Sequence, residues 1–541
     1  TWDDVVLQTL LSLRGWSGMF QRLKDRPDTA PNQLRLPTEL GDMLAVRLLL
    51  NHTAAAHVLG HTTDQMSHAS ALVAPEAAER EEHTPDPAYT LFQLAQILGI
   101  GAHSLEDVGQ ERIATLLEEA EAIDDLLRRQ MWQAAYERHF RASRLDAFRI
   151  HAARVLRQPA VPCRAHISFC IDDREESMRR HLEEVAPWFR TLGYAGNYGI
   201  SMYYRSAISG GHEALGPAGF APKHLVVEQS TKAVQSWKAS VADSTHIAVQ
   251  NTPIGSLVAL GGAFAAVPMI WRILNPWSHS QKTRVKRPLG PLLYKREGDA
   301  KDADGLLLGF SLEERISIVT AGLKTMGLVN EFSSLILCMG HGSTSVNNPH
   351  EAGYNCGACG GGRGAPNARV FAMMANEPEV RAALADKGIR IPDTTWFVGG
   401  YHNTSEDGID LFDLELVPEA SKGLLQEIQQ ALDTARALDA HERCRKFESA
   451  PLTLSPAEAL AHVEGRAADL AQARPEYNHA TNGMCLVGRR AWSRGLFLDR
   501  RAFLVTYDPA TDPDGDVLGA LLANVVPVGA GINLEYFFST L

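Results

Sequence analysis

Apolar residues in the first part of the chain recur three and four positions apart. Between Val108 and Phe140 they are Ile113, Leu116, Leu117, Ala120, Ile123, Leu126 and Leu127, the period of an amphipathic helix. Leu7, Leu10, Leu11, Met19, Phe20 and Leu23 follow a similar spacing, so residues 1–160 are expected to form a helical region that docks on or covers another part. The period changes at Val161. In AHISFCID, Ala165, Ile167, Phe169 and Ile171 alternate with His166, Ser168, Cys170 and Asp172, which predicts a strand. A helix is predicted directly after it: Asp173, Glu175 and Glu176 suit its positive end, and Met178, Leu182 and Val185 fall on one face.

Further strands are predicted at SSLILCMG, at TTWFVGGYHN ending near His402, at RRAFLVTYDP and at GINLEYFF. The first of these is apolar on both faces, like a central strand of a covered parallel sheet. Strands alternating with helical stretches predict an α/β fold with a mostly parallel β-sheet core. Three regions are expected: helical 1–160, an α/β core over 161–410 with a large insertion at 200–330, and a C-terminal α/β region over 411–541. Within the insertion, IGSLVALGGAFAAVPMIW (254–271) is uncharged and just reaches transmembrane length. Its three glycines, Ser256 and Pro268 make a poor span, so a buried segment or a hydrophobic surface for a membrane partner is expected instead. Lys282, Arg284, Lys286 and Arg287 follow, a cluster that suits either anionic lipid or a solvated loop.

With 45% hydrophobic and 21% charged residues, the chain has the composition of a folded globular protein. Its formal net charge of -12 repels a nucleic-acid backbone, which sets nucleic acid aside. Seven scattered cysteines do not form a secreted disulfide framework and fit a reducing compartment. The opening TWDDVV carries acids where an export signal has a basic region.

Candidate chemistry is concentrated in two stretches. In CIDDREE a thiol, a carboxylate and a guanidinium fall at every second position, Cys170, Asp172 and Arg174. Alternation puts Cys170 and Asp172 on one side, and Arg174 with them if the chain stays extended. Strand ends of this kind are where ligands gather in open α/β sheets. The second stretch, MGHGSTSVNNPHEAGYNCGACGGGRGAPN, places His341 at a strand end, with Cys356 and Cys359 fourteen and seventeen intervening residues later. Seven glycines from Gly342 to Gly364 allow close backbone approach and positive φ, as a loop wrapped around a metal or ligand needs.

Two thiolates, one imidazole and one carboxylate make a tetrahedral zinc set. The same residues have structural readings: Cys170 as a small buried hydrophobe, His341 as a satisfied loop histidine, CGAC as a redox pair or half of a structural knuckle. Spacing alone does not choose between Cys356 and Cys359. His402, Asn403, His479, Asn482, Arg489 and Arg490 adjoin strand-like segments and are candidates for a pocket wall, although such residues are common on surface loops.

The order Cys170-x-Asp172-x-Arg174, then a histidine and a cysteine, resembles the zinc motif of β-carbonic anhydrases. That resemblance implies Zn2+ as cofactor, Cys170, His341 and Cys356 as ligands, and Asp172 alternating between the metal and Arg174. Asp172 and Arg174 are then the catalytic pair, on a core resembling that of β-carbonic anhydrase. Those enzymes place the second cysteine three residues after the histidine, whereas fourteen intervene here. The longer strings CIDDREES, HGSTSVNNPHEAGYNCGACGGGRGAPNAR, TNGMCLVGRR and INLEYFF resemble the DabA family of inorganic-carbon transporter subunits, whose pattern has the longer spacing. The likeness runs across nearly the whole chain. Members of that family are usually longer at both ends, so a chain starting at Thr1 and stopping just after INLEYFF is read as a fragment.

The family resemblance implies carbon dioxide and bicarbonate as reactant and product, and a membrane-embedded proton-conducting subunit (DabB-type) as partner, similar to such subunits of respiratory complex I. It also implies a peripheral place on the cytoplasmic face of the cell inner membrane, with hydration confined to the assembled complex. Two rivals stand beside it. One is a non-catalytic zinc scaffold closed by Cys170, His341, Cys356 and Cys359; the other is a thiol redox couple of Cys356 and Cys359.

Overall fold

The structure is a computed structural model that describes residues 2–12, 14–25, 39–58, 87–101, 108–155, 161–207, 211–217, 221–232, 235, 268–283, 289–348, 351–472, 474–476, 479, 481–526 and 529. Two compact units divide the chain, Thr1–Ala147 and Phe148–Leu541. The first is helical: α1 (Trp2–Ser12), α2 (Arg14–Asp25), α3 (Leu40–Val58), α4 (Pro87–Leu98), α5 (Gln110–Glu121) and the start of α6 (Asp125–Val155). The periodic run predicted from Val108 to Phe140 is therefore two helices, broken at Ala122–Asp124, where the amide of Ala122 bonds back to the carbonyl of Glu118. Ile113, Leu116, Leu117 and Ala120 are half-buried on α5, whereas Ile123, Leu126 and Leu127 beyond the break are exposed.

The second unit is built on a five-stranded sheet of order β10-β9-β8-β1-β2. Its strands are β1 (Ala165–Phe169), β2 (Phe189–Gly193), β8 (Leu335–Gly342), β9 (Trp396–Asn403) and β10 (Gly408–Leu411). All pairings are parallel except β9 with β10. A second sheet is formed by β3 (Met202–Arg205), β4 (Glu213–Leu215), β5 (His224–Glu228), β6 (Leu292–Leu293) and β7 (Leu307–Leu308). A third, parallel pair joins β11 (Met484–Gly488) to β12 (Ala502–Thr506). The described fold is thus α/β with mostly parallel pairing in its main sheet. The predicted strand GINLEYFF, most of the uncharged run 254–271, and Arg284, Lys286 and Arg287 lie outside the described residues.

Alternation along β8 explains the layering. Leu335, Leu337 and Met339 face one way, toward α7 (Glu176–Val185) and α13 (Glu419–Cys444), where they pack with Met178, Leu182, Ile428 and Leu432. Ile336 and Cys338 face the other way, toward α9 (Leu312–Thr325) and α11 (Ala365–Ala375), and meet Val319, Leu323 and Phe371. Helices on both faces make the all-apolar strand SSLILCMG stable at the centre. The remaining helices are α8 (Pro276–Thr283), α10 (Glu351–Tyr354), α12 (Pro378–Asp386), α14 (Pro456–Ala468) and α15 (Asp516–Val526). No described helix is long and apolar enough to cross a membrane.

The strand predicted through Asp172 stops at Phe169, and Asp173–Glu175 form a tight 3-10 turn before α7. The helix face holds at Met178 and Leu182, both fully buried, but Val185 is exposed. Because β1 leads to β2 on one side and β8 leads to β9 on the other, the chain reverses its winding between β1 and β8. The crevice beyond the carboxyl ends of two such strands is where open α/β sheets bind ligands.

Candidate metal centre

Asp172 lies just past the carboxyl end of β1, and His341 near the end of β8. A backbone wrap supplies Cys356: its amide bonds to the carbonyl of Gly362, and its carbonyl accepts from Cys359 and Gly361. Gly360 and Gly361 take φ of 65° and 84°, a conformation that costs a residue with a Cβ but not glycine. The strand itself makes room. A Cβ at Gly340 would fall 2.2 Å from the backbone of Gly364, so this crossing requires glycine.

The donor atoms of Cys170, His341 and Cys356 lie within 4.8 Å of one another, and all three residues are buried. The two sulfurs are 3.8 Å apart. Two sulfurs at about 2.3 Å from a tetrahedral ion would also sit about 3.8 Å apart. A side chain at Gly196 would intrude here, since its Cβ would stand 3.3 Å from both sulfurs.

The hydrogen bonds around His341 favour one tautomer. With Thr404 Oγ1–H donating to the carboxylate Oε1 of Glu476 at 3.1 Å, that hydroxyl oxygen accepts from His341 Nε2–H, also 3.1 Å away. Nδ1 is then left with a bare lone pair, buried and without a hydrogen-bond partner. A buried acceptor in that state costs about 1–3 kcal/mol unless something binds it. Burial holds the ring's pKa down to about 3, so it is neutral. The hydrogen bond between Cys170 and Cys356, together with burial, pushes the Cys170 thiol up, and burial does the same to Cys359. Neutral imidazole and clustered buried thiols fit a soft-to-borderline metal ion, which lowers the cost of deprotonating the thiols.

Asp172 has a different environment. Arg174 Nε–H donates to its Oδ1 at 2.8 Å, and Nη2–H to its Oδ2 at 2.9 Å. Burial works against the carboxylate's charge, but Arg174, His479 and His341 outweigh it and hold its pKa well below the ordinary range. Its Oδ2 is 3.5 Å from His341 Nδ1. The alternation argument brought Arg174 to Asp172 by an extended chain; the contact forms instead because Asp172 caps the 3-10 turn, accepting from the Arg174 amide at 3.0 Å. Arg174 also donates to Glu476 at 2.8 Å and to the carbonyl of Tyr354 at 2.7 Å.

Cys359 is buried beside Cys356 but does not join the three-donor set. Among the wall candidates, His479 is buried, its Nε2 3.4 Å from Asp172 and its Nδ1 2.5 Å from Asp173. His402 pairs with Glu175 at 2.5 Å. Arg489 and Arg490 are tied elsewhere, to Asp508 and Glu183. Thr404 and Glu476 were not foreseen. Glu476 reaches Arg174 from 302 residues away, and no local pattern marks it.

A family described as "Probable inorganic carbon transporter subunit DabA" matches the chain over residues 1–541. A relative of that description from Rhodopirellula baltica is 44% identical over 99% of this chain and 52% of its own length. One from Sorangium cellulosum is 41% identical over 99% and 55%, and one from Dechloromonas aromatica 35% over 100% and 60%. The chain therefore spans little more than half the length of the curated relatives it matches. No solved structure matches it.

Proposed function

Because the chain belongs to the DabA family of probable inorganic carbon transporter subunits, we propose that it is the zinc-binding part of an energy-coupled inorganic-carbon uptake complex that hydrates carbon dioxide to bicarbonate. The observation that carries this reading is the meeting of Cys170, Cys356 and the bare His341 Nδ1 beside a carboxylate that Arg174 holds. A zinc ion bound there lowers the pKa of a water from about 15.7 to about 7, which makes hydration feasible near neutral pH.

The chain's own residues do the rest. Cys170, His341 and Cys356 would hold the ion, and Thr404 orients His341 by accepting from Nε2–H. Asp172 is the gate. Turned toward the three donors its carboxylate would join them as a further donor; two charge-assisted hydrogen bonds from Arg174 hold it on the guanidinium instead. Glu476 and the carbonyl of Tyr354 keep the guanidinium in place for that hold.

Hydration alone only equilibrates its reactants. Tenfold accumulation of bicarbonate needs about 1.4 kcal/mol, and one proton crossing 100 mV releases about 2.3 kcal/mol. A proton-conducting membrane subunit of DabB type is the proposed source. The chain then sits as a peripheral subunit on the cytoplasmic face of the inner membrane, and proton flow moves Asp172 or removes the product proton.

The second reading is a non-catalytic zinc scaffold, which gains support from the buried Cys359 next to Cys356. Asp172→Ala separates the two. In the assembled complex it abolishes carbon-dependent growth rescue while metal content stays at the wild-type level; rescue that persists supports the scaffold.

A further inference from the structure

Arg174 has a second neighbourhood that the gate does not use. It lines a cavity of about 710 Å3 together with Arg443, Lys446, Arg466, Arg474 and Arg500, against which the wall sets two carboxylates, Glu448 and Glu476. Cations so grouped repel one another unless they are anchored. Asp172 anchors Arg174 at 2.8 Å, Asp407 anchors Arg443 at 2.5 Å, and Asp439 anchors Arg500 at 3.0 Å. None of these three carboxylates is on the wall. Asp499, also off the wall, takes the Lys446 ammonium in the same way at 2.6 Å, so these carboxylates hold the cations in place from outside.

The anchoring also fixes the wall in advance, so an incoming anion would lose little binding energy to ordering side chains. Arg474 Nε is buried without a hydrogen-bond partner, and Arg500 Nη2 has only an ion pair with Glu476 Oε2, 3.5 Å away. Glu476 does not balance the wall alone: its Oε1 accepts from Arg174 and Thr404, and its Oε2 faces Arg500 Nη2 at 3.5 Å. Fixed guanidiniums are matched to flat or tetrahedral oxyanions, and the volume leaves room for such an anion with bridging waters.

We infer that this cavity binds a small inorganic oxyanion of the bicarbonate class, held one side chain away from Asp172. The identity of the anion rests on the proposed hydration reaction; the existence of the anion site does not.

The test is a titration of the full chain with 13C-bicarbonate, followed by NMR line broadening at ionic strength held constant with chloride. Saturable binding is expected, weakened about tenfold in the Lys446→Gln/Arg466→Gln double variant by loss of two charge-assisted contacts, with metal content unchanged. Lys446 is half-exposed, so Lys446→Gln alone is the variant to use if the double one does not fold; it weakens binding by a smaller factor in the same direction. Identical isotherms for wild type and variant, or displacement of bicarbonate by chloride at equal concentration, overturn the site. A parallel titration with phosphate separates sources: phosphate binding more than tenfold tighter than bicarbonate overturns the assignment to bicarbonate. Binding that persists in His341→Ala, where metal is lost, keeps the cavity even if the hydration reading fails.

Discussion

Among the described residues, two groups of buried side chains meet the same geometric condition, and only one is suited to a metal. Cys170, His341 and Cys356 form the first; Asp172, Asp173 and His479 form the second, and in each the donor atoms lie within 4.8 Å of one another. In the second group the charges are already matched. His479 Nδ1 is bonded to Asp173 at 2.5 Å, and Arg174 takes both oxygens of Asp172. Although His479 Nε2 and Asp173 Oδ2 have no hydrogen-bond partner, a guanidinium beside them supplies the positive charge a metal would bring. In the first group no fixed cation bonds the donors, and the His341 lone pair faces nothing that donates. Proximity of donors is common; donors left without a cation are what single out a metal centre.

The comparison breaks most plainly at His341. His341→Ala should take metal content from about one ion per chain to near none, measured on protein purified with and without the membrane partner, while His479→Gln should retain the ion. Metal kept in the first variant and lost in the second would transfer the centre to the second group. A large effect is also expected where the second group's charges are matched. Arg174→Met leaves Asp172 buried without its guanidinium, and breaking a buried pair in this way costs about 3–5 kcal/mol. Both side chains of the Asp172 pair are only 2% exposed, so solvent cannot make up the loss. Thermal unfolding should show a marked drop in melting temperature. A variant as stable as wild type would mean that Asp172 is not held as described.

A smaller effect is expected one bond further out. Thr404→Val keeps the shape but removes the acceptor for His341 Nε2–H. Loss of such a partner lowers metal affinity about 10–100-fold, read by competition with a chromophoric chelator. Unchanged affinity would show that the imidazole is oriented by packing alone, and the tautomer argument would lose its consequence.

How much of this could be read along the chain depends on how far each interaction reaches. The strands β1, β8, β9 and β12 were legible because apolar alternation or a bounded apolar run is a local signal. Cys170 and His341 were legible because strand ends collect ligands. The end of β1 was not: alternation through Ile171 and Asp172 continues in the sequence, but the Asp172 side chain captures the Arg174 amide and turns the chain. Ala122–Asp124 hides a helix break for a similar reason, since hydrophobic period is insensitive to a short interruption. Thr404, Glu476 and the cationic cavity depend on contacts between residues far apart in the chain, such as Ser343 with Glu476 and Arg500 with Asp439, and no local pattern encodes those.

The smallest expected effect is the sharpest for choosing between gate and scaffold. Cys359 is as buried as Cys356, and a cysteine three residues from a ligand is the usual arrangement of a closed structural site. Its sulfur nonetheless stays outside the three-donor set, near the point where a Cβ on Gly364 would stand, 3.1 Å away. Its role on this reading is packing beneath the glycine wrap. Cys359→Ser, nearly the same size, should therefore leave metal content and growth rescue unchanged and cost only the small penalty of burying a hydroxyl in place of a thiol. Cys356→Ser, three residues earlier, should lose the ion. If both substitutions emptied the site equally, four protein donors would close the coordination shell, Asp172 would have no position to vacate, and the scaffold reading would replace the gate.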